Sequence, residues 1–232
     1  MDRLTLRAAG RYEDAAMHFA DRRDAAERLS KALQAYRGRN PLVLAIPRGA
    51  LPMGKLLAER LSGELDVVLV RKLRAPGSPE YAIGSIDESG WVYLAPHARA
   101  AGATDAYIEE EKRRQLDVLK DRRARYTPGR SAIDPAGRVV IVVDDGLATG
   151  ATMIAALHAV RARKPEVLVC AVPVASPDSL ELVQPLADDV VCLYAPEGFY
   201  AVGQFYRTFG QVEDDEAIRL LGAGPVQSGP VS

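Results

Sequence analysis

An α/β fold, a Rossmann-like twisted parallel sheet with helices on both faces, is predicted for this 232-residue chain by two features of its pattern. Short β-branched runs alternate with amphipathic helical stretches, which is how a parallel sheet covered by crossover helices reads in sequence. Four of the five strand candidates are apolar almost throughout, as strands buried on both faces must be. With 48% hydrophobic residues the chain can bury a sizeable core, and one large domain with small appendages is expected.

In chain order, residues 1–20 read as an irregular extension leading into a helix over 21–36, whose Ala25, Leu29, Ala32 and Leu33 form one face. Strands are predicted at 42–46, 66–70, 139–143, 167–172 and 190–194. Helices are predicted at 51–61, 151–163 and 176–186, where apolar residues recur at helical spacing behind a turn-forming or capping residue. Right-handed crossovers would gather the loops after the strands along one sheet edge, where open α/β folds bind ligands. Residues 83–86 and 91–94 flank Asp87-Glu88-Ser89-Gly90 and predict a projecting hairpin. A long charged helix over 104–126 is expected to form a solvated outer layer. The core then spans 21–194, with a small C-terminal hood over 195–221, aromatic and then acidic, and a Gly/Pro/Ser-rich tail over 222–232 expected to be disordered.

Thirty basic against thirty-one acidic residues leave a net charge of -1, so no overall field recruits nucleic acid or an anionic membrane. Cys170 and Cys192 both lie in apolar runs, which suits buried thiols in a reducing compartment. No run approaches the roughly eighteen apolar residues of a membrane span, and a cytoplasmic protein is expected. His18, His97 and His158 are scattered, with no metal-ligand spacing between them, and His158 at mid-helix reads as structural.

The stretch 139–152, Val-Val-Ile-Val-Val-Asp-Asp-Gly-Leu-Ala-Thr-Gly-Ala-Thr, carries the most chemistry. An apolar strand ends in Asp144 and Asp145, and a small-residue loop then opens a helix. Amides of a Gly/Thr-rich turn at a helix start can cradle a phosphate, helped by the Thr149 and Thr152 hydroxyls and the helix dipole. Two adjacent carboxylates suit a different task. They can accept hydrogen bonds from vicinal sugar hydroxyls, or orient Mg²⁺ through its waters.

These residues resemble the 5-phosphoribosyl-1-pyrophosphate (PRPP) motif of the type I phosphoribosyltransferases, most of all its adenine-phosphoribosyltransferase version. The resemblance implies that Asp144 and Asp145 hold the ribose, with indirect contact to Mg²⁺, while Ala148, Thr149, Gly150, Ala151 and Thr152 hold the 5′-phosphate. Pro47-Arg48-Gly49-Ala50-Leu51-Pro52-Met53-Gly54 resembles the family's pyrophosphate loop, in which Arg48 supplies a fork of donors and Gly49 close backbone approach. Arg71 and Lys72 match the basic pair that family members place on the leaving pyrophosphate. Residues 74–81, rich in turn formers, sit where the family has its flexible catalytic loop, and Glu80 is the best-placed carboxylate there for proton transfer. The resemblance also implies a homodimer and a type I fold.

Ala148 stands where 6-oxopurine phosphoribosyltransferases carry an aspartate that handles a purine proton, so that chemistry is not expected. Residues 199–206 nevertheless resemble the segment with which those enzymes cover the base, with Tyr200 on the stacking aromatic. The same aromatics could instead fill a small C-terminal core. The implied activity is transfer of a 5-phosphoribosyl group from PRPP to a nitrogen of an aromatic base or amine, with release of pyrophosphate. A PRPP- or nucleotide-binding regulator without chemistry, and a hydrolase or phosphorylase acting on another phosphorylated sugar, are the alternatives.

Overall fold

The computed structural model describes residues 18–222; residues 1–17 and 223–232, and with them most of the expected extension and tail, lie outside the described residues. Helix α1 (Arg22–Ala32) is followed by β1 (Leu42–Ala45), α2 (Leu51–Leu61) and β2 (Glu64–Val67). The chain then forms β3 (Val70–Ala75), β4 (Ser78–Asp87), β5 (Val92–Leu94) and α3 (Asp105–Tyr126). It returns through β6 (Val139–Val143), α4 (Ala151–Ala162), β7 (Val167–Val174), α5 (Pro177–Val183), β8 (Asp189–Tyr194) and α6 (Asp214–Gly222). Five strands pair in parallel in the order β2-β1-β6-β7-β8, the predicted α/β sheet. Among the described residues no helix is long and apolar enough to cross a membrane.

Side-chain alternation along the strands divides the core into two layers. Val139, Ile141 and Val143 of β6 pack with α1 and α2, whereas Val140 and Val142 pack with α4 and α5. Glycine sets the spacing at α2, because a Cβ on Gly54 would lie 2.9 Å from both the Ala45 Cβ and a Leu65 methyl. Side-chain caps begin three helices: Asp21 accepts from the Asp24 amide at 2.9 Å, Thr104 from Tyr107 at 3.2 Å and Ser176 from Ser179 at 3.2 Å. Cys170 and Cys192 are free and buried beneath α4 and α5, and burial pushes the Cys192 thiol up to about 12, where it is chemically quiet.

Three expectations are corrected. The strand expected over 66–70 begins earlier, at Glu64, and ends at Val67; after Val68 donates to the Ala45 carbonyl at 3.1 Å, the chain leaves for a second, antiparallel sheet of order β3-β4-β5. The stretch 74–81 is not an open loop. Ala75 pairs with Ser78 and Arg74 with Ala82 across irregular register, so only Pro76 and Gly77 turn the chain, with Gly77 at φ +69°. Helix α3 is not a purely solvated layer either, since it buries Ile108, Glu111, Leu119 and Tyr126.

Alongside these apolar contacts, α3 is held by an ion network that periodicity could not reveal. Arg123 donates to the fully buried Asp66 at 2.7 Å, to Glu88 at 2.6 Å through Nε, and to the Val67 carbonyl at 3.1 Å. Asp66 also accepts from the Val67 amide at 2.8 Å and the Ile133 amide at 2.9 Å. One guanidinium thereby ties the end of β2, the turn between β4 and β5, and α3. On the other side of the hairpin His158 of α4 stacks on Tyr93, with ring centroids 4.0 Å apart, a packing role as expected. Arg123→Ala removes the nearer cation, while Asp66 keeps its two amides and Arg130 at 3.6 Å. A loss of about 3 kcal/mol in urea unfolding is expected, the lower end for a broken buried pair; a loss under about 1 kcal/mol would show that the amides and Arg130 together satisfy Asp66.

Candidate functional site

Strand order reverses between β1, whose successor β2 lies on one side, and β6 on the other, and this is the position where parallel sheets open a ligand crevice. The two loops singled out by sequence, 46–50 and 144–150, leave the C-terminal ends of these two strands. They touch: a Cβ on Gly49 would sit 2.3 Å from Asp145 Oδ2, so only glycine fits there. The Pro47–Arg48 peptide is cis.

The loop entering α4 is held from behind. Ser176 and Ser179 hydroxyls donate to the Ala148 carbonyl at 3.1 and 2.8 Å, and Gly150 caps the helix at φ +68°. Among the described residues the amides of 148–153 donate to no protein acceptor, and Ala148, Thr149 and Thr152 are exposed. That is an open crown of donors at the positive end of a twelve-residue helix, the arrangement an anion needs. Gly146 is required beside it, since a Cβ there would meet a Val202 methyl at 2.7 Å.

The carboxylates differ in environment. Asp144 accepts from the Asp145 amide at 2.9 Å, and burial, followed by the Asp145 charge, pushes its carboxyl well above the ordinary range. Asp145 is paired: Arg22 donates to its Oδ2 through Nε at 3.0 Å and Nη2 at 2.8 Å. The same guanidinium donates to the Gly210 carbonyl at 2.6 Å and lies 4.0 Å from the Phe209 ring centroid. Tyr206 O–H donates to the Asp145 carbonyl at 2.7 Å. Sequence reading missed Arg22, which lies 123 residues from its partner; its place in the first turn of a helix gave no signal.

Arg48 reaches Asp214 at the start of α6, at 3.2 Å on the surface. Arg71 and Lys72 do not end a parallel strand; they lie within β3, opposite Ile86 and Ser85. Even so, a mainly polar cavity of about 270 Å³ brings them together with Pro47 and Thr152. Arg74 and Arg122 line it too, and neither was singled out as a site residue. Glu80 belongs to β4 by its backbone, and its side chain lies outside the described residues. Tyr200 is 90% exposed, while Phe199 packs on Phe205 and Tyr194 on Phe205, so the segment splits between a small aromatic core and one projecting ring. No group of three or more His, Cys, Asp or Glu that could hold a metal is found among the described residues.

The raised Asp144 has a consequence for stability. Above the ordinary value of 3.8 the unfolded chain releases this proton while the native state keeps it, so stability falls as pH rises from there toward the raised value. Asn keeps the acceptor and removes the titration. Asp144→Asn is therefore expected to unfold at higher urea concentration than the parent at pH 7, with the gap closing below about 3.8; an equal or lower midpoint at pH 7 would contradict this.

Comparison with known proteins agrees with this geometry. The family described as the phosphoribosyl transferase domain matches residues 11–206. A Mycobacterium tuberculosis protein named "Putative phosphoribosyl transferase" is 41% identical over 204 residues, covering 88% of this chain and 46% of that protein, so the chain spans about half the length of the curated relatives it matches. The crystal structure of TT1426 from Thermus thermophilus superposes with a TM-score of 0.81 at 46% identity, covering 88% of this chain and 98% of that one. A purine phosphoribosyltransferase from Pyrococcus horikoshii is far more distant, at 15% identity and a TM-score of 0.44 over 83% and 93% of the two chains. With its family match over most of its length and the motif loops seated at the switch point of a parallel sheet, the chain belongs to the phosphoribosyl transferase domain family.

Proposed function

We propose that the chain transfers the 5-phosphoribosyl group of PRPP to a nitrogen of an aromatic base or related amine, releasing pyrophosphate. The observation that carries this reading is the meeting of an open amide crown and a carboxylate pair on one loop, beside a cation-lined cavity. In that arrangement the amides of 148–152 hold the 5′-phosphate, and Asp144 and Asp145 accept the ribose hydroxyls. Arg71 and Lys72, with Arg48 and the Gly49 backbone, hold the pyrophosphate. Arg48 and Asp145 leave their present partners to do so. Asp214 is a surface partner, easily exchanged for water, and the ribose diol replaces part of what Arg22 gives Asp145.

The acceptor nitrogen forms a bond to C1 of the ribose as the C1–O bond to pyrophosphate breaks, through a transition state with positive charge on the sugar. Cations around the leaving group and carboxylates beneath the sugar both favour that charge separation. Glu80 is the proposed acceptor of the proton that the nucleophile loses. Tyr200, standing clear of the protein, is the proposed ring against which a flat acceptor stacks. The fit for Mg²⁺ is indirect: a carboxylate pair without a third ligand suits an ion that keeps its waters and leans on substrate phosphates, so Asp144 and Asp145 would hold it through water. Bound there it would neutralise pyrophosphate oxygens. A homodimer is part of the proposal.

Replacing both carboxylates, Asp144→Asn with Asp145→Asn, is expected to weaken PRPP at least tenfold in calorimetry while the far-UV spectrum is kept, as for loss of the charge-assisted contact at Asp145. Unchanged affinity refutes the ribose assignment. Pyrophosphate release over a panel of bases separates a transferase from a PRPP-binding regulator: tight PRPP binding with no turnover on any base favours the regulator.

A further inference from the structure

The cavity beside the phosphate loop holds more cationic side chains than the assigned pair. Arg71, Lys72 and Arg74 come from β3 and Arg122 from α3, and Thr152 of the phosphate loop closes the far side. Most arginines in this protein are matched to carboxylates, including Arg99, which pairs with Asp105 of α3, and Arg113, Arg114 and Arg123 on that helix. Among the described residues, none of the four cavity cations makes an ion pair. Like charges gathered together repel one another: at Arg71 burial, then Arg122 and then Arg74, pull the pKa down against a smaller opposing pull from Glu111.

The cluster is also held in place. Arg71 donates to Gln115 through Nε, Gln115 donates to Glu111 at 2.9 Å, and Glu111 accepts from the Arg74 amide at 3.4 Å. Tyr107 O–H donates to the Arg74 carbonyl at 2.9 Å. Contacts from α3 thus fix β3 from behind and leave the cationic ends for the cavity, whose volume of about 270 Å³ is several times the share of one water in the liquid. A lone phosphate does not need that room or that charge. A two-phosphorus leaving group needs both.

We propose that Arg74 and Arg122 are two further pyrophosphate-binding residues, which with Arg71 and Lys72 complete a four-cation socket for the leaving group. The inference rests on the transferase reading above and adds a helix, α3, that contributes nothing to the motifs. In the reaction the four side chains share the charge that moves onto pyrophosphate when the C1–O bond breaks, and Arg71 does so without leaving Gln115.

The test uses the full chain and two probes, inorganic pyrophosphate with Mg²⁺ and ribose 5-phosphate, each titrated calorimetrically. Arg74→Ala and Arg122→Ala are both at exposed positions and should fold, which urea unfolding checks. Each is expected to weaken pyrophosphate roughly tenfold, the size of one charge-assisted hydrogen bond, while ribose 5-phosphate stays within about twofold. Lys120→Ala, exposed on the same helix and absent from the cavity, measures the effect of removing a nearby charge alone. If Arg74→Ala and Arg122→Ala both bind pyrophosphate like Lys120→Ala while Arg71→Ala loses it, the socket is overturned and the transferase reading stands. If the parent protein binds neither probe nor PRPP, the transferase reading falls, and the socket with it.

Discussion

Two carboxylates at the end of a buried strand dominate this molecule, because nearly every contact around the crevice answers to them. Keeping an ionised group out of water costs several kcal/mol after relaxation. Strand β6 precedes the pair with five buried aliphatic residues, each contributing about 1.5–3 kcal/mol, so the strand more than offsets one such penalty. The local problem remains, and it is solved three ways: Asp144 shifts toward its neutral form, Asp145 takes Arg22 as a partner, and Gly49 vacates the space into which Asp145 Oδ2 projects. Each solution constrains another element. Arg22 ties the first turn of α1 to the crevice, and Gly49 sets how closely the loop after β1 approaches.

A second constraint acts at a distance. The antiparallel sheet packs on the main body through α3 and α4, and its place is fixed by Arg123, by the Tyr93–His158 stack and by the chain from Glu111 through Gln115 to Arg71. Without these the cations of β3 would have no defined relation to the loop before α4. Precision in the crevice is therefore borrowed from an element that carries none of the recognisable motifs.

What was legible in the sequence follows from the range of the forces involved. Strand β6 and helix α2 were read to the residue, since an unbroken aliphatic run and a 3.6-residue period are local signals. The motif loops were placed correctly at the strand ends for the same reason. The break after Val67 was missed because Asp66 looks like an ordinary strand residue until Arg123, 57 positions away, is seen to hold it. Pro76-Gly77 marks a turn but cannot say whether strands flank it, and here the flanking residues pair. Arg22 and Arg122 were invisible because a single arginine on a charged helix has no periodicity of its own; only the folded chain brings each to the crevice.

The short parallel bridge between Phe19 and Tyr206 bears on how the aromatic segment can move. Phe19 donates to the Phe205 carbonyl at 2.7 Å and accepts from Arg207 at 2.9 Å, and the Tyr206 ring is buried against it. That end of the segment is riveted. At the other end, Gln204 alone gathers the Tyr200 and Ala201 amides and the Gly198 carbonyl, and Tyr200 stands in solvent. The segment is thus anchored at its Phe205–Tyr206 end by backbone pairing and at its Tyr200 end by a single side chain, so a change at Gln204 would free the exposed tip without touching the anchored end.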